Sequence, residues 1–118
     1  MNIAILLPYK ENFSLKSAGA VSIFVNDTNQ LSIFKKNITV YGSTEDRFTL
    51  KNYINVGLKK KIFLSTSTQY IKKFITLVKD NEINILEVHN RPNYVNYLDK
   101  FFICKKILSF HNDPQDMQ

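Results

Sequence analysis

The stretch INILEVHNRP, residues 83–92, decides how the rest of the chain is interpreted. Its first six residues, INILEV, are mainly apolar and have the length that a buried central strand of a parallel sheet needs. The apolar residues are Ile83, Ile85, Leu86 and Val88. His89, Asn90 and Arg91 follow at the carboxyl end of that strand, and Pro92 fits the first turn of a helix. The stretch therefore predicts a strand, a polar cluster and a helix start in immediate succession.

The same arrangement occurs a second time at residues 107–114, ILSFHNDP. Ligands of open α/β sheets bind just beyond the carboxyl ends of the strands. Two strands that both end in His-Asn, about twenty residues apart, therefore predict one shared site. The competing interpretation is that each His-Asn pair is an ordinary polar cap between a strand and a loop. We favour the cap for either pair alone and a site for the two together.

Length and composition are those of a single domain, assigned to residues 1–118. Hydrophobic residues make up 44% of the chain and charged residues 22%, which is ordinary for a soluble globular protein. No apolar run approaches the roughly 20 residues of a membrane span, and the apolar residues 2–8 lack the basic leader of a signal peptide. The single cysteine, Cys104, allows no internal disulfide, and a cytoplasmic location is expected.

The formal net charge of +6 has two interpretations. Either the chain binds an anionic partner such as nucleic acid, anionic lipid or a sugar phosphate, or its composition is generally biased towards Lys, Asn and Ile. Arginine, the preferred residue for bidentate recognition of bases and phosphates, occurs only twice. Nucleic-acid binding is therefore not expected, whereas weak contact with an anionic membrane surface is.

Hydrophobic periodicity predicts five strands and three helices. The strands are expected at residues 2–8, 38–41, 52–56, 83–88 and 107–110. The helices are expected from about residue 20 to Phe34, from Thr66 to about Lys79, and from about Pro92 to Phe102. In the first helix, roughly helical spacing is kept by Ala20, Phe24, Leu31 and Phe34, with Val21 and Val25 beside them.

This order of elements predicts an α/β fold, a Rossmann-like parallel sheet with helices on both faces. Crossovers between parallel strands are right-handed, so the strand at 83–88 should lie beside the first strand. The second strand should lie on the other side of the first. The strand order then reverses at the first strand, which predicts that the loop from Tyr9 to Ala20 and His89 are neighbours at a ligand-binding switch point.

Four segments of the chain resemble a known family: NIAILLPYKENFSLKSAGAVSIFV, ITVYGS, ILEVHNRPNYV and ILSFHNDP. Together they are similar to the N-terminal domain of a GT-B glycosyltransferase of family 4, and more narrowly to bacterial members associated with lipopolysaccharide core sugars. The resemblance covers the whole chain. It implies the N-terminal half of a GT-B fold and the transfer of a hexose from a nucleotide-sugar donor to a glycan or lipopolysaccharide-type acceptor.

The family places a glycine-containing loop after its first strand, which corresponds here to Ala18 and Gly19. The resemblance implies that this loop binds the donor. Backbone N–H groups at a helix N-terminus attract a diphosphate, and a residue without a side chain allows close approach. The alternative is that Gly19 only helps the chain to turn into the first helix.

The family also places a histidine after each of two strands, and these correspond to His89 and His111. The resemblance implies that His111 is catalytic and donates a hydrogen bond to the donor sugar or its phosphate. His89 would face the acceptor or brace the site, and Glu87 is a weaker candidate that could instead pair with a lysine. The remaining substrate- and donor-binding candidates are Asn90, Arg91, Asn112 and Asp113. The competing interpretation of HNDP is a turn at the start of a helix.

No metal and no cofactor are expected. The chain contains no Asp-x-Asp sequence, no Gly-x-Gly-x-x-Gly sequence and no Walker loop. The nucleotide sugar would be a substrate.

GT-B enzymes carry a second Rossmann-like domain that holds most of the nucleotide, and this chain is expected to lack it. The resemblance therefore implies an isolated chain without transferase activity. Its expected partners are a nucleotide sugar, a glycan or lipid-linked acceptor, and a C-terminal domain supplied by continuation of the gene or by a second chain. The expected location is cytoplasmic, with peripheral contact at the inner membrane. The alternative function is a non-catalytic Rossmann-like interaction domain.

Overall fold

A computed structural model describes residues 1–11, 20–44, 52–57 and 66–110. In this part of the chain the strands are β1 (Ile3–Leu6), β2 (Ile38–Gly42), β3 (Tyr53–Asn55), β4 (Ile85–His89) and β5 (Lys105–Ser109). The helices are α1 (Ala20–Leu31), α2 (Thr66–Val78) and α3 (Pro92–Leu98), with a 3-10 turn at Lys35–Asn37.

The five strands form one parallel sheet in the order β3-β2-β1-β4-β5. β1 is central, and Ile5 lies between Val40 of β2 and Glu87 of β4. β5 extends the sheet on the far side of β4. The predicted neighbours of the first strand are thereby confirmed. Because all the strands run in one direction, their carboxyl ends open at a single edge of the sheet.

Each face of the sheet has its own hydrophobic core, because successive side chains of a strand point to opposite faces. Ala4 and Leu6 of β1 pack with residues of α2 and α3. Ile5, and Leu7 just after β1, pack with residues of α1. The protein therefore has the predicted α/β architecture, a Rossmann-like parallel sheet with helices on both faces.

The inner face of α2 agrees with its sequence pattern. Ile71, Phe74, Ile75 and Val78 are buried at the spacing i, i+3, i+4 and i+7, and the lysines between them are exposed. The Phe74 ring meets the Tyr41 ring of β2 edge-on, with 5.0 Å between centroids. α2 is thus fixed across the sheet by aromatic as well as aliphatic packing.

Only some of the apolar residues whose spacing predicted α1 face the sheet. Val21 and Val25 are buried against the sheet, whereas Phe24, Leu31 and Phe34 are exposed. α1 also ends at Leu31, three residues before Phe34. Apolar residues form two adjacent stripes on this helix, one with Val21 and Val25 and one with Phe24 and Leu31. Their spacing does not tell which stripe packs on the sheet. In the crossover from β1 to β2, the stripe with the two valines packs on the sheet.

The bounds of β4, α3 and β5 differ from the prediction by a few residues. β4 begins at Ile85 and includes His89 as its last residue. α3 ends at Leu98, although Phe102 still packs into the core from the turn that follows. β5 begins at Lys105 and ends at Ser109. Phe102 follows Leu98 by four residues, which is the spacing of one helix face, so the sequence predicted a helix that continues to Phe102. The turn after α3 buries the Phe102 side chain without helical geometry.

Candidate functional site

The carboxyl edge of the sheet contains a topological switch point at β1. The chain leaves β1 towards β2 on one side, and the later strand β4 pairs on the other side. In open parallel sheets, ligands bind in the crevice that this reversal creates. The described residues nearest to it follow β1, β2 and β4, and they form the candidate site: Tyr9, Lys10, Ser43, His89, Asn90, Arg91 and Tyr94.

Two non-glycine residues of the candidate site have left-handed backbones. Lys10, after β1, has φ 69°, and Asn90, after β4, has φ 54°. Both are held by hydrogen bonds, because the Lys10 N–H donates to Ser43 Oγ at 2.8 Å and the Asn90 N–H donates to the Ser109 carbonyl at 2.9 Å. Such conformations cost energy in L-residues and concentrate at functional sites. The first hydrogen bond joins the segment after β1 to the segment after β2, and the second joins the residue after β4 to the end of β5.

Three tyrosine rings pack beside residues 7–11, the described start of the loop after β1, which is called the β1 loop below. The rings of Tyr9 and Tyr70 have centroids 5.6 Å apart, and those of Tyr70 and Tyr94 are 6.3 Å apart. Tyr94 Oη accepts a hydrogen bond from the Tyr9 N–H at 3.3 Å. Tyr70 Oη donates to the Leu7 carbonyl at 2.7 Å. The tyrosines therefore anchor the end of β1 to α2 and α3.

Burial raises the pKa of Tyr70 well above its ordinary value of 10.0, with smaller contributions from Tyr94 and Tyr53. Tyr70 therefore remains a neutral hydrogen-bond donor at physiological pH. It supports the position of the β1 loop and has no surface from which to contact a ligand.

His89 is fully buried at the end of β4. Its Nε2 atom lies 3.4 Å from Oε2 of Glu87, which projects from the same face of the strand two residues earlier. Its ring centroid is 6.1 Å from that of Phe24 in α1. This position suits the bracing role expected for His89, because the ring connects β4 to α1 beneath the surface. Within the described ranges, the charged neighbour of Glu87 is this histidine and not a lysine.

Arg91 is exposed at the start of α3. Its Nη1 atom donates to the carbonyl of Asn90 at 2.7 Å, so the side chain folds back along the turn. The remaining guanidinium N–H groups are the type of donor that binds carboxylate or phosphate oxygens. Arg91 and Lys10 therefore bring two exposed cations to the loops after β4 and β1.

The other predicted site residues lie outside the described parts of the chain. These residues are Ala18, Gly19, His111, Asn112 and Asp113. Their convergence with His89 stays a prediction.

The sequence predicted that the loop beginning at Tyr9 lies at the switch point, but it did not single out Lys10, Ser43 or the three tyrosines as members of the site. A usable signal was nevertheless present, because Tyr9 and Lys10 directly follow the strand at which the switch point was predicted. Tyr70 and Tyr94 lie within helices, and only the folded chain brings their rings beside the β1 loop.

A cleft of about 370 Å³ lies at the opposite, amino edge of the sheet. Its lining is mainly polar and includes Asn2, Asn37, Asp80 and Glu82. Two carboxylates make this cleft unsuitable for a phosphate-bearing ligand. The carboxyl edge remains the better candidate, since it combines the switch point with exposed cations.

Among the described residues, no three His, Cys, Asp or Glu side chains are grouped so that they could hold a metal ion. No helix in this part of the chain is long and apolar enough to cross a membrane.

Comparison of the chain with protein-family models, with curated proteins and with solved structures finds no match.

Proposed function

We propose that this chain is the acceptor-side domain of a glycosyltransferase. It would bind a glycan or lipopolysaccharide-type acceptor together with one edge of a nucleotide-sugar donor. The observation that carries the proposal is the switch point at β1, where Lys10 and Asn90 have left-handed backbones at adjacent strand ends. The resemblance of the four sequence segments supports the same function.

The charge at the switch point suits this class of substrate. A nucleotide sugar releases a diphosphate, so its site must stabilise concentrated negative charge. Lys10 and Arg91 are exposed cations in the loops on either side of the crevice. In this proposal they attract the donor or a phosphorylated acceptor, and His111 acts as the catalytic hydrogen-bond donor. Ala18, Gly19, Asn112 and Asp113 complete the proposed donor contacts.

Catalysis in this proposal needs a second domain. One sheet edge forms one wall of a cleft, and a reaction between two substrates depends on holding both in a fixed relative orientation. The second wall would come from a further domain, in the same chain or in another. The protein would then act without a metal cofactor, with the nucleotide sugar as a substrate.

A binding experiment tests the location of the site. Isotope-labelled protein is titrated with nucleotide sugars of different bases while backbone amide resonances are recorded. We expect weak binding, with the largest shifts at Lys10, Ser43, Asn90 and Arg91. Asn37 and Asn84 at the amino edge serve as internal controls and should not move. Shifts confined to the amino edge would contradict the proposal.

An activity measurement tests the need for a second domain. The 118-residue chain should transfer no sugar from any donor to a lipopolysaccharide-type acceptor. Robust turnover by this chain alone would show that a single domain provides the complete cleft.

A non-catalytic interaction domain is the second candidate, and one observation favours it. β5 is an edge strand of the sheet, and Ile107 and Phe110 on or beside it are exposed, as is Phe24 of α1. Exposed apolar residues beside an open strand edge favour pairing with another chain. A stable dimer that protects the β5 amides from hydrogen exchange would support this candidate over sugar transfer.

A further inference from the structure

The cleft at the amino edge of the sheet lies on the face that packs against α2 and α3. Ala4 of β1 and Thr39 and Tyr41 of β2 line it from the sheet, and residues 80–83, after α2, line it from the other side. Ala4 and Thr39 are partners in the strand register, and both side chains are small. They leave a space of about 370 Å³, which is within the size range of pockets that hold small molecules.

Hydrogen bonds hold the turn after α2 against the start of β1. The Asn2 N–H donates to Asn84 Oδ1 at 2.7 Å, and Asn2 Nδ2 donates to the Glu82 carbonyl at 2.7 Å. The Asn84 N–H donates to the Asn2 carbonyl at 2.9 Å, and the Asn81 N–H donates to the Val78 carbonyl at 2.9 Å. The two walls of the cleft are therefore fixed relative to each other, and a ligand does not have to order them.

The charge of the cleft is negative, although the formal net charge of the chain is +6. Asp80 and Glu82 are exposed in its lining, and within the described ranges neither carboxylate forms an ion pair. Among the described residues, no lysine or arginine lines the cleft. α2 ends at Val78, directly before these acids, and the C-terminal end of a helix carries partial negative charge. The cleft therefore attracts a cation.

Tyr41 adds a buried hydrogen-bonding group to the cleft. It lies two residues beyond Thr39 on β2, so it lines the end of the cleft that is furthest from the edge of the sheet. The residue is only 8% exposed, and its ring packs edge-on against Phe74. Within the described part of the chain, its hydroxyl has no hydrogen-bond partner. A buried hydroxyl without a partner is costly, and it can accept a hydrogen bond from a ligand.

We propose that this amino-edge cleft binds a small aliphatic amine that carries a second hydrogen-bonding group. The ammonium group of the ligand contacts the carboxylates of Asp80 and Glu82 at the mouth of the cleft. The second group contacts the Tyr41 hydroxyl at the inner end, and the carbon chain lies against Ala4 and Thr39. This proposal does not depend on sugar transfer, because the cleft and the candidate site are at opposite edges of the sheet.

Titration with 1,4-diaminobutane tests the proposal. Backbone amide resonances of isotope-labelled protein are recorded at neutral pH, where the amino groups of the probe are protonated. We expect saturable shifts at Ala4, Thr39, Tyr41 and Asn81 that become weaker in high salt. Butane-1,4-diol, which has the same carbon chain without charge, should cause no comparable shifts. Absence of saturable shifts at these residues, or equal shifts with the diol, would overturn the proposal.

Calcium chloride is the second probe, because carboxylates also bind hard cations. Ca²⁺ takes about six to eight oxygen ligands, and the described lining of the cleft offers two carboxylates. We therefore expect that Ca²⁺ displaces 1,4-diaminobutane only at a much higher concentration than that of the amine. Displacement by a lower concentration of Ca²⁺ would assign the cleft to a metal ion and would overturn the proposal.

Matched charge variants separate the cleft from general charge attraction. Asp80→Asn with Glu82→Gln should raise the Kd for 1,4-diaminobutane by about tenfold, since each exposed ion pair contributes up to about fivefold. The control pair, Glu11→Gln with Asp27→Asn, removes the same charge from residues outside the cleft and should have a much smaller effect. An equal rise in Kd for both pairs would show that net charge alone governs binding, and it would overturn the proposal.

Two further variants test the position of the ligand. Tyr41→Phe should raise the Kd by about fivefold, as expected for loss of one hydrogen bond, without lowering the free energy of unfolding. The control Tyr97→Phe removes a hydroxyl outside the cleft and should change neither quantity. Thr39→Leu fills the space without removing a charge and should abolish saturable binding. Parent-level affinity in both Tyr41→Phe and Thr39→Leu would show that the amine binds outside the cleft, and it would overturn the proposal.

Discussion

The Tyr70 hydroxyl of α2 donates a hydrogen bond of 2.7 Å to the carbonyl oxygen of Leu7, the residue that follows β1. A second carbonyl, that of Tyr41 in β2, lies 3.4 Å from the same hydroxyl. The single hydroxyl proton serves the Leu7 carbonyl, whereas the Tyr41 carbonyl accepts a hydrogen bond from the Leu7 N–H at 2.9 Å. The position of the β1 loop depends on this contact as well as on the sheet.

Replacement of Tyr70 by Phe should destabilise the fold. The variant leaves the buried Leu7 carbonyl without this donor, which costs about 1–3 kcal/mol of unfolding free energy. Urea unfolding followed by circular dichroism measures the loss. Tyr97→Phe is the matched control, because Tyr97 is only half-buried and its hydroxyl has no hydrogen-bond partner in the described part of the chain. Equal stability of Tyr70→Phe and the parent would contradict the assigned role.

The same tyrosine should make the protein sensitive to alkaline pH. Burial raises the pKa of Tyr70 above the ordinary value of 10.0, and burial also raises the pKa of Tyr41. The neutral phenols are therefore favoured in the folded state, so their stabilisation is complete below about pH 10 and is lost as the pH rises above it. Ionisation of each such tyrosine lowers the unfolding free energy by up to about 1.4 kcal/mol per pH unit in that range.

Unfolding free energies measured on both sides of pH 10 test this expectation. The decline above pH 10 should be less steep in Tyr70→Phe than in the parent chain. The titration of lysines is common to both proteins and cancels in the comparison. Identical slopes would show that Tyr70 ionises with an ordinary pKa in the folded protein.

Substitution of Gly42 by Ala should also destabilise the sheet. A Cβ atom at Gly42 would lie 2.5 Å from Tyr53 Oη and 2.8 Å from Tyr53 Cε1. Tyr53 is buried, and its hydroxyl donates to the Thr44 carbonyl at 2.8 Å, so its ring cannot move without losing that bond. Overpacking of this kind costs about 1–3 kcal/mol.

A double-mutant cycle with Tyr53→Leu tests the cause. If the tyrosine ring is responsible, Gly42→Ala should cost much less in the Tyr53→Leu background than in the parent. Thermal and urea denaturation measure how much Gly42→Ala lowers the unfolding free energy in each of the two backgrounds. Strict additivity of the two substitutions would contradict the proposed collision.

The two histidines should differ in their effects on turnover. If the proposed function holds, His111→Ala in an assembly of this chain with the proposed second domain should lower kcat by about a hundredfold or more, as expected for loss of an oriented donor. His89→Ala should have a milder effect, because His89 is buried and its ring lies 6.1 Å from that of Phe24 in α1, below the surface that a substrate would contact. Steady-state kinetics with donor and acceptor measure both. Parent-level turnover in the His111 variant would show that the HNDP segment is only a turn.

Much of the architecture could be predicted from local patterns. The apolar run before His89 indicated a central strand, and the order of strands and helices indicated a parallel sheet with β4 beside β1. These predictions succeeded because chain connectivity and the right-handed crossover leave few arrangements. The inner face of α2 was predictable for a related reason, since its apolar residues lie on one line of the helix.

The inner face of α1 and the end of α3 could not be predicted in this way. Val25 and Phe24 are adjacent in sequence, and either could face a sheet. Phe102 is buried from a turn, where helical spacing has no meaning. In both cases the deciding factor is the position of a neighbouring layer, which no local pattern contains.

The sequence alone determined the strand order, the switch point at β1 and the polar residues that follow β4. Tertiary structure alone decided which residues support that site. The rings of Tyr9, Tyr70 and Tyr94 come from three elements far apart in the chain, and they meet because α2 and α3 pack on the same face of the sheet. Periodicity records which side of its own element a residue occupies. Contact between elements depends on packing across layers, which forms only when the whole sheet is assembled.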